Sequence, residues 1–188
     1  MKYSDVTKVY EELSATTKRL EKSHVLSKFL KEIKLTEIDD TLCLLTASIF
    51  PSYDKRKIGF SDRSILKAIS KTSGIKQEEI EKLWSKLGGL GDVAEKLLKS
   101  KFQTFLKTEI LTIDKVLSNL RKLAELEGQG TVDKKVNLIT ELLSSSTPLE
   151  AKYIVRTVLG ELRVGIAEGI IRDALAEAFS LDSKDIKK

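Results

Sequence analysis

One cysteine, one histidine, one tryptophan and two prolines stand in a chain of 188 residues. The single cysteine, Cys43, lies in the apolar run Leu42-Cys43-Leu44-Leu45; it excludes an internal disulfide and fits a buried, reduced thiol. The single histidine, His24, has no carboxylate or cysteine pattern around it, so no metal site is expected and it reads as a surface or boundary residue. No apolar run approaches the roughly 20 residues of a membrane span, and the N-terminus lacks the apolar core of a signal peptide, so the expected compartment is the cytoplasm. Also absent are Gly-x-x-x-x-Gly-Lys-Ser/Thr, Gly-x-Ser-x-Gly and a Gly-x-Gly-x-x-Gly after a strand. The adjacent carboxylates Asp39-Asp40 and Glu78-Glu79 diverge on helices, which suits solvation better than acid–base chemistry. No catalytic residue emerges.

What remains is a charge-coated helical pattern. The chain is 41% hydrophobic and 32% charged, with 33 Lys and Arg against 28 Asp and Glu, a net charge of +5. No segment alternates β-branched with polar residues, so an all-α single domain of roughly ten to twelve helices is expected. Ser23, Thr36, Ser61, Thr112, Thr131 or Val132, and the capping-box sequence Thr147-Pro148-Leu149-Glu150 read as helix starts; Gly74 and Phe50-Pro51 read as stops. Asp92 reopens a helix after Gly88-Gly89-Leu90-Gly91, and Trp84 falls on a core face.

Two stretches, Ile58 to Ser70 and Val164 to Ala176, align without a gap, with Gly59/Gly165, Ile65/Ile171 and Ala68/Ala174 identical. Each is a loop with basic residues, then a glycine, then an acidic or hydroxyl residue opening an amphipathic helix. Such junctions aim backbone N–H groups and a positive helix end outward, toward an anion such as phosphate. The repeat suggests pseudo-two-fold halves, roughly 1–95 and 105–182. Basic residues gather at the connections, in Lys18-Arg19, Lys55-Arg56-Lys57, Lys134-Lys135 and Arg163. Lys134 and Lys135 in the first turns of a helix oppose its dipole, a conflict that a nearby phosphate relieves. Few aromatics lie at these loops, which disfavours single-strand stacking and favours a duplex gripped by its backbone across the minor groove. The competing reading is a helical protein-interaction module whose basic loops are incidental.

The segment Gly160-Glu161-Leu162-Arg163-Val164-Gly165-Ile166-Ala167-Glu168, with Glu150 to Arg156 before it, resembles the end of the N-terminal DNA-binding domain of ATP-dependent DNA ligases of the archaeal and eukaryotic replicative type. Thr16 to Glu21, Phe50-Pro51 followed by Gly59, Leu87 to Glu95, and Gly128-Gln129-Gly130 before Asp133-Lys134-Lys135 agree in order and spacing. The resemblance implies an all-helical monomer over residues 1–182 that embraces nicked duplex DNA, with 183–188 beginning a linker to an adenylation domain. It implies ATP and Mg²⁺ for the parent enzyme, which seals nicks in replication, repair and recombination, and no cofactor for this part. The nucleophilic lysine of that enzyme belongs to a Lys-x-Asp-Gly motif, which does not occur here, so this chain alone should be inactive. Carried onto matching positions, the DNA contacts are Thr17, Lys18, Arg19, Gly59, Gly88, Gly91, Gly128, Gly130, Lys134, Lys135, Arg163, Gly165 and Ala167. Arg163 is the strongest of them, because arginine suits the negative potential of a minor groove. Glu161 departs from the family, which often carries a basic residue there. The resemblance also implies a sliding-clamp contact through a glutamine-plus-aromatic segment. Phe102, Gln103, Phe105 and Leu106 lie in about the right place, but one residue separates Gln103 from Phe105, and helical spacing makes the apolar ones core candidates as well.

Overall fold

Ser61, Thr112 and Thr147 start helices through the same chemistry: each side-chain hydroxyl accepts the backbone N–H three residues on, at Ser64, Lys115 and Glu150. At Thr147 the box closes, since the Glu150 carboxylate accepts the Thr147 N–H at 2.7 Å. The computed structural model describes residues 1–50, 53–54, 56, 58–102, 110–126, 128, 130–182 and 186, with Lys101 and Phe102 by backbone alone. Among the described residues the order is α1 (Tyr3–Ser14), α2 (Arg19–Glu32), a 3₁₀ turn (Leu35–Glu37), α3 (Ile38–Leu45), α4 (Asp62–Ser73), α5 (Gln77–Leu87), α6 (Leu90–Phe102), α7 (Ile113–Glu125), α8 (Thr131–Ser145), α9 (Pro148–Val158) and α10 (Glu168–Phe179), with no strand. The fold is all-α, and no described helix is long and apolar enough to cross a membrane.

Four boundaries differ from the sequence reading. Thr36 opens no α-helix: it lies within the 3₁₀ turn, and α3 begins at Ile38 after Glu37. Ser23 caps nothing: α2 begins at Arg19 and Ser23 is buried within it. α3 stops at Leu45 rather than running to Phe50; Ala47 adopts φ 53°, and Ile49 and Phe50 reach the core from outside the helix. α6 begins at Leu90, ahead of Asp92. Trp84 is half-buried and packs against the core.

The packing is reciprocal. α1 contacts α2 and α9, while α7 contacts α8 and α3; α2 packs on α10 as α8 packs on α4. Exchanging α1 with α7, α2 with α8, α3 with α9 and α4 with α10 maps every one of these contacts onto another. At the crossing point the Tyr3 N–H donates to the Leu111 carbonyl at 2.8 Å and the Ile113 N–H to the Met1 carbonyl at 3.1 Å, an antiparallel bridge between the starts of α1 and α7. The ion pairs follow the same exchange with the signs reversed. Glu11 on α1 accepts from Lys152 on α9 at 2.8 Å, and Arg121 on α7 donates to Asp40 on α3 at 2.7 Å. Among the described residues α5 and α6 have no counterpart, and the contact of α6 with α9 is the broadest.

Burial resists ionisation of Glu11, but hydrogen bonds from Lys152 and Tyr153 outweigh it and hold the carboxyl below its usual range. A depressed carboxyl stabilises the fold above the unfolded glutamate pKa of about 4.3, and that contribution is lost as pH falls through the lower folded value. Thermal unfolding from about pH 7 to about pH 3 is therefore expected to fall less steeply in Glu11→Gln than in the parent, and parallel curves would refute this.

Candidate nucleic-acid interface

Between α9 and α10 the chain turns through three left-handed residues, Gly160 at φ 68°, Arg163 at φ 55° and Gly165 at φ 64°. Arginine at positive φ costs on the order of 1–3 kcal/mol and persists only where its surroundings fix it. Leu162 and Val164 supply that fixing: they are buried, 6% and 3% exposed, and throw Glu161, Arg163 and Gly165 to the surface between them. The Arg163 guanidinium donates to the Gly88 carbonyl at 3.3 Å and to Glu161 Oε2 at 2.6 Å, with its side chain half exposed.

The start of α2 lies against this loop. Arg19 donates to Asp173 on α10 at 2.7 Å, and its guanidinium lies 3.2 Å from where a Cβ on Gly169 would stand. Lys22 reaches beneath the loop and donates to the carbonyls of Val164 at 2.5 Å and Gly165 at 3.1 Å. Thr17, Lys18, Arg19, Gly165 and Ala167 are all exposed. The contacts of Lys22, Arg19 and Arg163 thus bring the N-terminal turn of α2, the loop before α10 and Gly88 into one cluster.

The second cluster repeats the device with the halves exchanged. Gly59 adopts φ 55° ahead of α4, and Lys135 on α8 donates to the neighbouring Ile58 carbonyl at 2.9 Å. Gly130, at φ 83°, is the N-cap of α8, and Gly128, at φ 95°, offers its carbonyl to the Thr131 hydroxyl at 2.8 Å. Lys134 is exposed. Lys135 is not the free cation the helix dipole leaves unsatisfied, because the Ile58 carbonyl already occupies it.

Gly91 belongs to neither cluster. It is buried where α6 meets α9, and a Cβ there would lie 2.8 Å from the Lys152 carbonyl oxygen and 2.8 Å from Arg156 Cγ. Its place in the fold is a close helix approach rather than a surface contact. Gln103, Phe105 and Leu106 lie outside the described residues, as do the side chain of Phe102 and, Ile186 apart, the tail 183–188. His24 Nδ1 is 2.8 Å from Glu177 Oε1 on the surface, and Cys43 is half-buried, its thiol pushed up by burial. Among the described residues no cluster of His, Cys, Asp or Glu could hold a metal ion.

Each exposed cation of the first cluster faces a carboxylate at 2.6–2.7 Å: Lys18 with Glu21, Arg19 with Asp173, Arg163 with Glu161. The Lys18–Glu21 hydrogen bond raises the lysine pKa and lowers that of the glutamate. Any anion that reached these cations would have to displace a carboxylate rather than meet a bare charge. Asp173 and Lys22 escaped the sequence reading, which noted Glu161 only as a departure from the family; Lys22 is 142 residues from Val164, and no local pattern marks it.

A family model described as DNA ligase N terminus matches residues 2–176. A DNA ligase of Methanothermobacter thermautotrophicus is 42% identical over 180 residues, covering 96% of this chain and 32% of the relative. DNA ligases of Nanoarchaeum equitans and Archaeoglobus fulgidus are 37% and 35% identical; each match covers 100% of this chain, and 33% and 34% of the relative respectively. The chain spans about a third of the length of the relatives it matches.

Proposed function

The chain belongs to the DNA ligase N-terminal domain family, and on that premise we propose that it binds nicked duplex DNA without reading sequence, through phosphate and minor-groove contacts. The observation that carries the reading is the pair of glycine loops, each left-handed, exposed and anchored by a lysine of the opposite half. Main-chain amides and arginines are the groups that hold a nucleic-acid backbone irrespective of base. Residues 1–182 act as one body made of halves 1–95 and 105–182, working as a monomer in the cytoplasm. The adenylation chemistry, with its ATP and Mg²⁺, belongs to catalytic domains of a longer archaeal-type ligase polypeptide that serves replication, repair and recombination.

The test is fluorescence anisotropy of a labelled nicked duplex with this chain across a salt series. The affinity should fall steeply, by roughly 0.9 in the log–log slope for each phosphate neutralised. Binding that is absent or indifferent to salt would refute the reading and leave a protein-interaction module. Incubation with radiolabelled ATP is expected to leave the chain unlabelled.

The carboxylate exchange at Arg163 makes a further prediction. Glu161→Gln removes the competing negative charge, and since an exposed ion pair is worth about 0.2–1 kcal/mol, nicked-duplex affinity should rise roughly two- to fivefold. Unchanged or weaker binding would show that Glu161 does not compete with phosphate.

A further inference from the structure

Lys22 is 6% exposed although it stands early in α2, and it lies under a surface loop. Its ammonium donates to two consecutive carbonyls, Val164 and Gly165, and Lys135 donates to Ile58 in the other half. Among the described residues, the hydrogen bonds of both ammonium groups go only to carbonyl oxygens. Burying an ammonium without a counter-ion is costly, so an apolar residue of similar length would serve packing alone better. A Cβ at position 165 would lie 2.6 Å from Lys22 Nζ, so glycine there leaves room for the lysine as well as allowing the positive φ.

The geometry of the peptide unit says what these bonds do. A trans peptide holds its N–H opposite its C=O, and the described chain has no cis bond. Drawing the Val164 and Gly165 carbonyls onto Lys22 therefore turns the N–H groups of Gly165 and Ile166 the other way. Lys135, drawing on Ile58, does the same for the N–H of Gly59. None of these three amides donates to a described residue.

Building on the DNA reading above, we propose that Lys22 and Lys135 are positioning residues: each, from one half, sets the direction in which the opposite half's loop amides donate to a backbone phosphate. Their charge beneath the loop adds to the attraction without touching the DNA.

Two measurements on the intact chain test this. In the first, nicked duplex is titrated into isotope-labelled protein while the amide resonances of Gly59, Gly165 and Ile166 are followed; all three should move. In the second, Lys22→Met and Lys135→Met are compared with the parent across salt. Each should lose affinity about tenfold, the scale of one charge-assisted hydrogen bond. The log–log slope should stay as in the parent, because a lysine that meets no phosphate releases no counterion. In the free protein Lys22→Met should shift the Gly165 and Ile166 amides and leave Gly59 in place, and Lys135→Met should do the reverse. Parent binding with those amides unmoved, variants that bind like the parent, or a slope shallower by about one would each overturn the proposal. Should a variant fail to fold, the parent titration decides alone. A parent that does not bind duplex takes down the DNA reading with it, whereas binding with still amides sinks only the positioning role.

Discussion

With alanine at both Arg19 and Arg163, binding of a nicked duplex will weaken by about a hundredfold or more at low salt, and the log–log salt slope will become shallower by about two. The slope is the stricter half of the expectation, because it counts phosphates rather than total energy. The two guanidinium groups flank one loop, and their side chains are 60% and 52% exposed. Their carboxylate partners make exposed pairs worth about 0.2–1 kcal/mol each, so losing both should cost no more than about 2 kcal/mol of thermal stability. Alanine is the right replacement at Arg163, since it retains the strain of φ 55° that glycine would relieve. A loss of affinity with melting lowered no further than the two ion pairs allow assigns both arginines to the interface. A double variant that binds as the parent does would remove the first cluster from the proposed DNA-binding surface and leave the loop at Gly59 to be tested by itself.

Helix starts were legible where the chemistry is local. Ser61, Thr112 and Thr147 bond to a backbone amide three residues away, and Gly74 and Gly88 end α4 and α5 in the left-handed conformation glycine favours. The end of α3 was not legible, because Leu44, Leu45, Ile49 and Phe50 are all buried and the run reads as one apolar helix. The chain turns at Ala47, a left-handed residue that is neither glycine nor proline and so gives no signal in the sequence. The same division holds at the candidate interface. The glycine loops and their neighbouring cations announce themselves in short windows. Lys22, Asp173 and Glu161 take their meaning from partners: the first two from residues 142 and 154 positions away, and the third from a left-handed arginine two residues on. The aligned stretches pair α4 with α10, but nothing in them says that α4 packs on α8 and α10 on α2. Gly88 and Gly91 share one window, and nothing in it tells that one is an exposed helix end and the other a buried helix contact.

That contact should make Gly91 the least replaceable glycine of the chain. A Cβ there meets the Lys152 carbonyl oxygen at 2.8 Å, and a backbone atom cannot swing aside as a side chain can. Relief requires α6 and α9 to separate, which strains the Arg156–Asp92 bonds at 2.9 and 3.0 Å and unpacks Val93, Ala94 and Ala151 from the core. Gly91→Ala gains about 0.8–1 kcal/mol of helix propensity yet should still lose about 1–3 kcal/mol net, a fall in melting temperature of roughly 3–10 °C. Gly91→Val should lose more, enough to leave a marginal domain substantially unfolded. Gly74→Asn is the control: that position is left-handed at φ 79° with no atom within 4 Å of a Cβ, and asparagine tolerates it at a helix end. Because α9 leads directly into the loop carrying Arg163, folded Gly91→Ala should also bind duplex more weakly, with the salt slope of the parent. Displacing the helix misplaces the loop without deleting a phosphate contact. If Gly91→Ala melts with the parent, α6 and α9 pack less closely in solution than 2.8 Å implies, and the support beneath the Arg163 loop must come from Leu162 and Val164 alone.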